Sequence, residues 1–230
     1  MAGLAPVAVL AGGRGSRLAK IAKDVPKALV EVAGEPFLFH QLRLLRDAGA
    51  RRVVICTGYR GDQIAAAVRD GGAFDLDVTY SDDGDELLGT AGALRKALPQ
   101  LGDVFHVLYG DTYLRIDYAA VEAAFRRSGK PALMTVLHNE NALERSNAVC
   151  ADGLVLAYDK ENPTPEMSWI DYGLGVLTGA ALDLPGADLA DVYRELARQG
   201  SLAAYEAEER FYHVGTPSAL RETESFLRNR

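Results

Sequence analysis

The sequence predicts an α/β fold: a mostly parallel central sheet flanked by helices, with a smaller β-rich lobe from the second half. Three observations predict it. Apolar runs of strand length alternate with amphipathic runs of helical length as far as residue 138, the pattern of repeated βαβ units. Many of these runs stop at Gly, which closes helices and turns chains. Past residue 140 the pattern changes, and a hairpin signal and a glycine-bearing strand point to a β-rich lobe.

The elements follow in order. Residues 7–11 are a short apolar strand that ends in glycines. Residues 36–49 have helical spacing and close at Gly49. Residues 52–58 read as a buried strand, 62–72 as a short helix and 76–81 as an alternating strand. Residues 90–102 are helical up to Pro99 and Gly102. Another buried strand, 104–111, stops at Gly110 and Asp111. A helix over 118–129, with Asp117 as a cap candidate, precedes a strand over 131–138. In residues 147–159, Asp152-Gly153 between two apolar runs signals a hairpin. Residues 168–179 are a strand, and 188–200 a helix capped by Asp188. Residues 202–215 read as strand or hairpin. Residues 216–230 are a helix with Thr216 as N-cap and Pro217 in its first turn. No linker or repeat divides the chain, so one domain over residues 1–230 is expected.

Composition excludes several classes. At 230 residues, 48% hydrophobic and 25% charged, the chain can bury a sizeable core and is not expected to be disordered. Cys56 and Cys150 sit in apolar runs and form no metal or redox spacing. No apolar run is long enough for a membrane span, and the N-terminal run has no basic flank, so no membrane partner and a cytoplasmic location are expected. The net charge of −7 argues against nucleic acid as a partner. Charge is uneven, however. Arg14, Arg17, Lys20, Lys23 and Lys27 against Asp24 give residues 1–30 a net +4, the setting for a small anionic ligand.

That basic segment holds a glycine-rich loop. Leu10, Ala11, Gly12, Gly13, Arg14 and Gly15 follow the first strand directly. Free amides in such a turn make a nest for an anion, and Arg grips phosphate with two N–H groups. The spacing does not fit the GxxxxGK[ST] loop. It also fails the dinucleotide fingerprint, because Leu18 stands where the third glycine belongs. That disfavours a nicotinamide-dependent oxidoreductase and leaves a phosphate loop of another kind, or a purely structural turn.

The run Leu10 to Leu18, LAGGRGSRL, followed by Pro26-Lys27, resembles the signature of the sugar-1-phosphate nucleotidyltransferases. Four further segments resemble that family: LLGTAGAL at 87–94, LYGDTY at 108–113, YDKENP at 158–163 and FYHVGTP at 211–217. The appearance is closest to bacterial heptose-1-phosphate guanylyltransferases. The resemblance implies a Rossmann-like sheet, with a nucleotide-binding part over about residues 1–115 and a sugar-binding part over about 116–230. It implies NTP and a sugar 1-phosphate as substrates, NDP-sugar and pyrophosphate as products, and membership of a family that often forms homo-oligomers.

The implied site follows from the same resemblance. Leu10 to Gly15 bind the nucleotide, with the Gly12–Gly15 backbone and Arg17 on the triphosphate; Lys27 reaches the α-phosphate, and Gly89 and Thr90 sit against the base. Arg17, Lys27 and Asp111 are the catalytic set, with Asp111 binding Mg²⁺. Lys160 binds the sugar phosphate, and Asp171 and Tyr172 face the sugar; many relatives carry Asn near position 171. The attacking phosphate oxygen is already an anion, so positioning and charge neutralisation suffice without a general base.

One position departs from the pattern. His213 stands where the family usually has a carboxylate that shares the metal with Asp111. Imidazole suits Zn²⁺, Mn²⁺ or Co²⁺ better than Mg²⁺. Three outcomes stay open: His213 binds a softer ion; the metal rests on Asp111 and substrate phosphates; or activity is impaired and the chain is a regulatory binder of nucleotide or sugar phosphate. An acceptor other than a sugar, such as phosphocholine, is a further alternative. His40, His106 and His138 read as structural.

Overall fold

The computed structural model describes residues 3–13, 15 and 24–229. Chain order begins β1 (Val7–Leu10), β2 (Glu31–Val32), β3 (Glu35–Pro36), α1 (Phe37–Asp47), β4 (Arg52–Thr57), α2 (Gly61–Val68) and β5 (Asp77–Asp82). It continues α3 (Gly89–Leu101), β6 (Val104–Tyr109), β7 (Thr112–Tyr113), α4 (Tyr118–Ser128) and β8 (Ala132–His138). The second half holds β9 (Ala148–Ala151), β10 (Leu154–Tyr158), β11 (Trp169–Thr178), α5 (Leu189–Arg198), β12 (Leu202–Glu206), β13 (Tyr212–His213) and α6 (Pro217–Arg228).

Among the described residues, one nine-stranded sheet takes the order β5-β4-β1-β6-β11-β8-β12-β10-β9. Seven strands run one way; β10 and β11 run against them. The β5-β4-β1-β6 block is wholly parallel, which brings four strand C-termini to one edge. β1, β4 and β6 are buried on both faces, as their continuous apolar runs require, whereas the edge strand β5 alternates. Val7, Val9, Val53 and Ile55 join one core with Leu38, Leu42 and Leu45 of α1 and Val121 and Phe125 of α4. The alternate residues Ala8, Val54, Cys56, Phe105 and Val107 join a second core with α3 and α5. Helices therefore cover both faces.

Local chemistry accounts for several boundaries. Asp152 and Gly153 both take positive φ, the requirement of a tight hairpin between β9 and β10. The Asp117 carboxylate caps α4 by accepting from Ala120 N at 3.0 Å, and the Thr216 hydroxyl caps α6 by accepting from Ala219 N at 3.2 Å. Cys56 and Cys150 are free thiols, each pushed up to about 12 chiefly by burial. His40 bonds the Val32 carbonyl at 2.9 Å, and His138 packs edge-on to Trp169.

α3 closes at Leu101 with Gly102 as its C-cap, as the sequence predicts, and Pro99 in the last turn removes one hydrogen bond without ending the helix. Two details differ from the sequence reading. Residues 202–215 form no hairpin: β12 enters the main sheet beside β8, and β13 pairs with β7 instead. The small β2–β3 hairpin was not anticipated. Among the described residues, no helix is long and apolar enough to cross a membrane.

Candidate active site at the strand ends

The parallel block delivers Leu10, Thr57, Asp82 and Tyr109 to one edge, where open α/β sheets bind ligands. Gly110 lets β1 and β6 come together there. A Cβ on it would lie 2.5 Å from the Leu10 carbonyl oxygen, which accepts from Gly110 N at 3.0 Å. The next carbonyls are anchored too: Ala11 N donates to Cys56 O at 2.9 Å, and Gly12 O accepts from Tyr59 N at 3.2 Å. Gly15 has φ +61° and lies against the Lys27 stem, with an added Cβ only 3.2 Å from Lys27 Cβ.

This edge opens into a cavity of about 400 Å³. Leu10, Ala11, Gly12, Gly13, Gly15, Gly89 and Thr90 all line it, with Lys27 and Asp111. Arg14 and Arg17 lie outside the described residues. Sequence reasoning missed Tyr109, Asp83, Asp188 and Gly215 in the same wall.

Asp111 is the electrostatic centre. Its carboxylate pairs with the Lys27 ammonium and accepts from the Thr112 hydroxyl at 3.1 Å. Burial works to raise this carboxyl, but Lys27, Thr112 and nearby His213 together hold it below the usual carboxylate range. A buried side chain braces the turn that carries it: Gln41 Nε2 donates to Tyr109 O at 3.0 Å and to Thr112 O at 2.7 Å. Gln41 interrupts the apolar face of Leu38, Leu42 and Leu45, a signal visible in the sequence.

Thr90 and Asp188 share the cavity wall and bond each other, although they come from opposite halves of the chain. Asp188 is not the side-chain cap of its own helix; its carboxylate serves the start of α3.

The residues assigned to the sugar separate. Lys160 Nζ lies 2.8 Å from Asp171 Oδ2 and 3.2 Å from the Tyr109 hydroxyl. Asp171 is buried in that contact and does not open onto the cavity. Tyr172, next along β11, points to the opposite face, where its ring packs edge-on to Phe211 in the first core. Successive residues of a strand face opposite ways, so both cannot meet one ligand.

His213 lies opposite Thr112 across the β7–β13 ribbon. Its Nδ1 accepts from Gly215 N at 3.1 Å, which places the ring proton on Nε2, 3.2 Å from Glu144 Oε1. Both nitrogens are thus engaged by protein. Among the described residues, no three His, Cys, Asp or Glu side chains are grouped to hold a metal ion. Of the carboxylates in the cavity wall, Asp111 lies against Lys27 and offers a hard oxygen ligand. That suits Mg²⁺, which takes one or two carboxylates together with substrate phosphates.

Comparison with known proteins places this geometry among relatives. The family model for Nucleotidyl transferase matches residues 7–150. The chain is 39% identical over 113 residues to an N-acetylmuramate alpha-1-phosphate uridylyltransferase of Neisseria meningitidis, covering 49% of each. It is 28% identical over 172 residues to a D-glycero-alpha-D-manno-heptose 1-phosphate guanylyltransferase of Campylobacter jejuni, covering 74% of each. The match thus spans about half the length of the first relative. Among solved structures, HddC from Yersinia pseudotuberculosis complexed with GMP-PN superposes with a TM-score of 0.81 at 25% identity, over 97% of this chain and 100% of that one.

Proposed function

The chain belongs to the nucleotidyl transferase family, and on that premise we propose that it transfers a nucleotidyl group from an NTP to a sugar 1-phosphate, releasing pyrophosphate. The observation that carries this reading is the meeting of the glycine loop, Lys27 and Asp111 in one cavity, with Lys160 bonded to the Tyr109 of its wall. An oxygen of the sugar phosphate attacks the α-phosphorus in line, and pyrophosphate leaves. Backbone amides of the loop hold the triphosphate, and Lys27 neutralises charge on the α-phosphate. Lys160 binds the acceptor's phosphate. Residues up to about 115 supply most of the nucleotide side and those beyond it most of the sugar side, although Asp188 and Gly215 reach the nucleotide cavity.

Mg²⁺, or Mn²⁺ in its place, would be held by Asp111 and the triphosphate, and would supply further charge neutralisation. His213 stays outside that set. GTP with heptose 1-phosphate is the first substrate pair to try, supported by the Campylobacter relative; the Neisseria relative supports a uridylyl alternative.

The test is pyrophosphate release from five nucleoside triphosphates against hexose and heptose 1-phosphates and phosphocholine, with Mg²⁺ and then Mn²⁺. One strong combination is expected, reduced about 10²–10³-fold in Lys27→Ala. Silence throughout, with nucleotide binding retained, would favour a regulatory binding protein.

A further inference from the structure

Lys160 sits in a cage that its own motif supplies only in part: Tyr158 belongs to the motif, whereas Tyr109 and Asp171 come from β6 and β11. Its ammonium lies 4.5 Å from the centroid of the Tyr109 ring and 5.7 Å from that of Tyr158. Two of its three N–H groups are taken by Asp171 Oδ2 at 2.8 Å and the Tyr109 hydroxyl at 3.2 Å. Asp171 is fixed in turn. Its Oδ1 accepts from Gly173 N at 2.9 Å, and its Oδ2 from the Tyr158 hydroxyl at 2.9 Å and the Tyr109 hydroxyl at 3.3 Å. The Asp171 side chain is 2% exposed, against 37% for Lys160. A carboxylate so enclosed has no face to offer a sugar hydroxyl.

We propose that Asp171 is a positioning residue: locked by Gly173, Tyr158 and Tyr109, it fixes the Lys160 ammonium so that the remaining N–H serves the attacking phosphate of the acceptor. This rests on the reading of Lys160 as the acceptor's phosphate ligand. Tyr109 belongs both to the cage and to the cavity wall, and precedes Asp111 by two residues, so it links the two substrate positions. The titration behaviour agrees. Burial disfavours the Lys160 ammonium, but Asp171 and Tyr109 outweigh it and raise the lysine above its usual range. The Tyr109 phenol is pushed up to about 12, and those of Tyr158 and of Tyr193 on α5 rise as well, so all three face Lys160 as neutral groups.

Charge and geometry pull in opposite directions here. Asp171 cancels part of the attraction that draws a phosphate in, while it orders a long, flexible side chain. Positioning therefore appears in turnover, whereas a direct sugar contact would appear in KM.

The test is Asp171→Asn in the full chain, which keeps the size and an oxygen for the Gly173 amide. Expected is a fall in kcat of about tenfold or more, the loss typical of a hydrogen bond to a charged group. KM for the sugar 1-phosphate should not rise, and KM for the NTP should stay put. A substrate-free readout accompanies it: ¹³C-methylated lysines followed by NMR, with the Lys160 signal assigned by Lys160→Arg. Lys160 should titrate above the ordinary lysine value of about 10.5 in the wild type and move down by about a unit or more in the variant. A raised sugar-phosphate KM with kcat retained would overturn the proposal in favour of a direct contact. A lower kcat with Lys160 titrating unchanged would overturn it in favour of a merely structural role. If the wild type turns over no sugar 1-phosphate, the functional reading fails, while the lysine titration still decides whether Asp171 holds Lys160.

Discussion

Thr90 and Asp188 cap each other's helices across 98 positions of sequence. Asp188 Oδ1 accepts from Thr90 N at 3.2 Å at the start of α3, and from the Thr90 hydroxyl at 3.3 Å. The Thr90 oxygen accepts from Leu189 N at 2.6 Å at the start of α5. The Ala187 carbonyl takes the next two α3 amides, Ala91 N at 2.8 Å and Gly92 N at 3.1 Å. Orphan amides of two helices are thereby satisfied by one exchange, which joins the two halves of the chain at the cavity wall. Thr90→Val keeps the volume and deletes the hydroxyl. It should lower unfolding free energy by about 1–2 kcal/mol, the ordinary worth of such a cap, whereas Thr90→Ser should retain most of it. Urea melts of the three proteins decide; an unchanged midpoint in Thr90→Val would show the exchange to be idle.

Two glycines of the site should answer differently to the same added methyl. At Gly110 a Cβ would meet the Leu10 carbonyl oxygen at 2.5 Å and Ala11 Cα at 3.2 Å, all backbone. Neither side can yield without parting β1 from β6. Gly110→Ala should therefore cost about 1–3 kcal/mol, as overpacking does, and reduce activity with it. At Gly13 nothing among the described residues lies within 4 Å of an added Cβ, and no positive φ is required. Gly13→Ala should melt like the wild type, so any loss of nucleotide affinity it shows reads the close approach of a phosphate. A Gly13→Ala protein that binds nucleotide normally would remove Gly13 from the loop's contact set.

Strands were legible where burial sets their composition. Val7 and Val9 face one core and Ala8 the other, and a run buried on both sides has no choice but to be apolar. The glycine loop and Lys27 were legible as a run of glycines after the first strand followed by Pro26-Lys27, and they meet in one cavity. Tyr172 was within reach of the sequence and misassigned: strand alternation alone forbids it to share a ligand with Asp171. The Asp171–Tyr109–Tyr158 cage was not legible, since it joins β6, β10 and β11, and no local spacing encodes which polar atoms meet across a sheet. The same holds for Asp188, whose position suggested a cap for α5 while its carboxylate serves α3.

Far from the site, His106 supplies a pH dependence whose sign can be worked out. It lies on β6, fully buried, with Nε2 4.0 Å from Glu122 Oε2. Burial pushes the imidazole below its usual value of 6.5, and the Glu122 carboxylate only partly counters this. In the unfolded chain the ring takes its proton near pH 6.5, but in the fold it resists until lower pH. As pH falls below about 6.5 the unfolded state therefore binds more protons, and stability drops by up to about 1.4 kcal/mol per pH unit for this one group until the folded ring also protonates. His106→Gln, which does not titrate, should lose this component. The wild-type melting temperature should then fall more steeply than the variant's between about pH 7 and pH 5, and the difference between the two curves isolates His106 from the carboxylates that titrate in both. Were Glu122 the stronger influence, the folded pKa would lie above the unfolded one, and the wild type would gain on the variant as the pH fell.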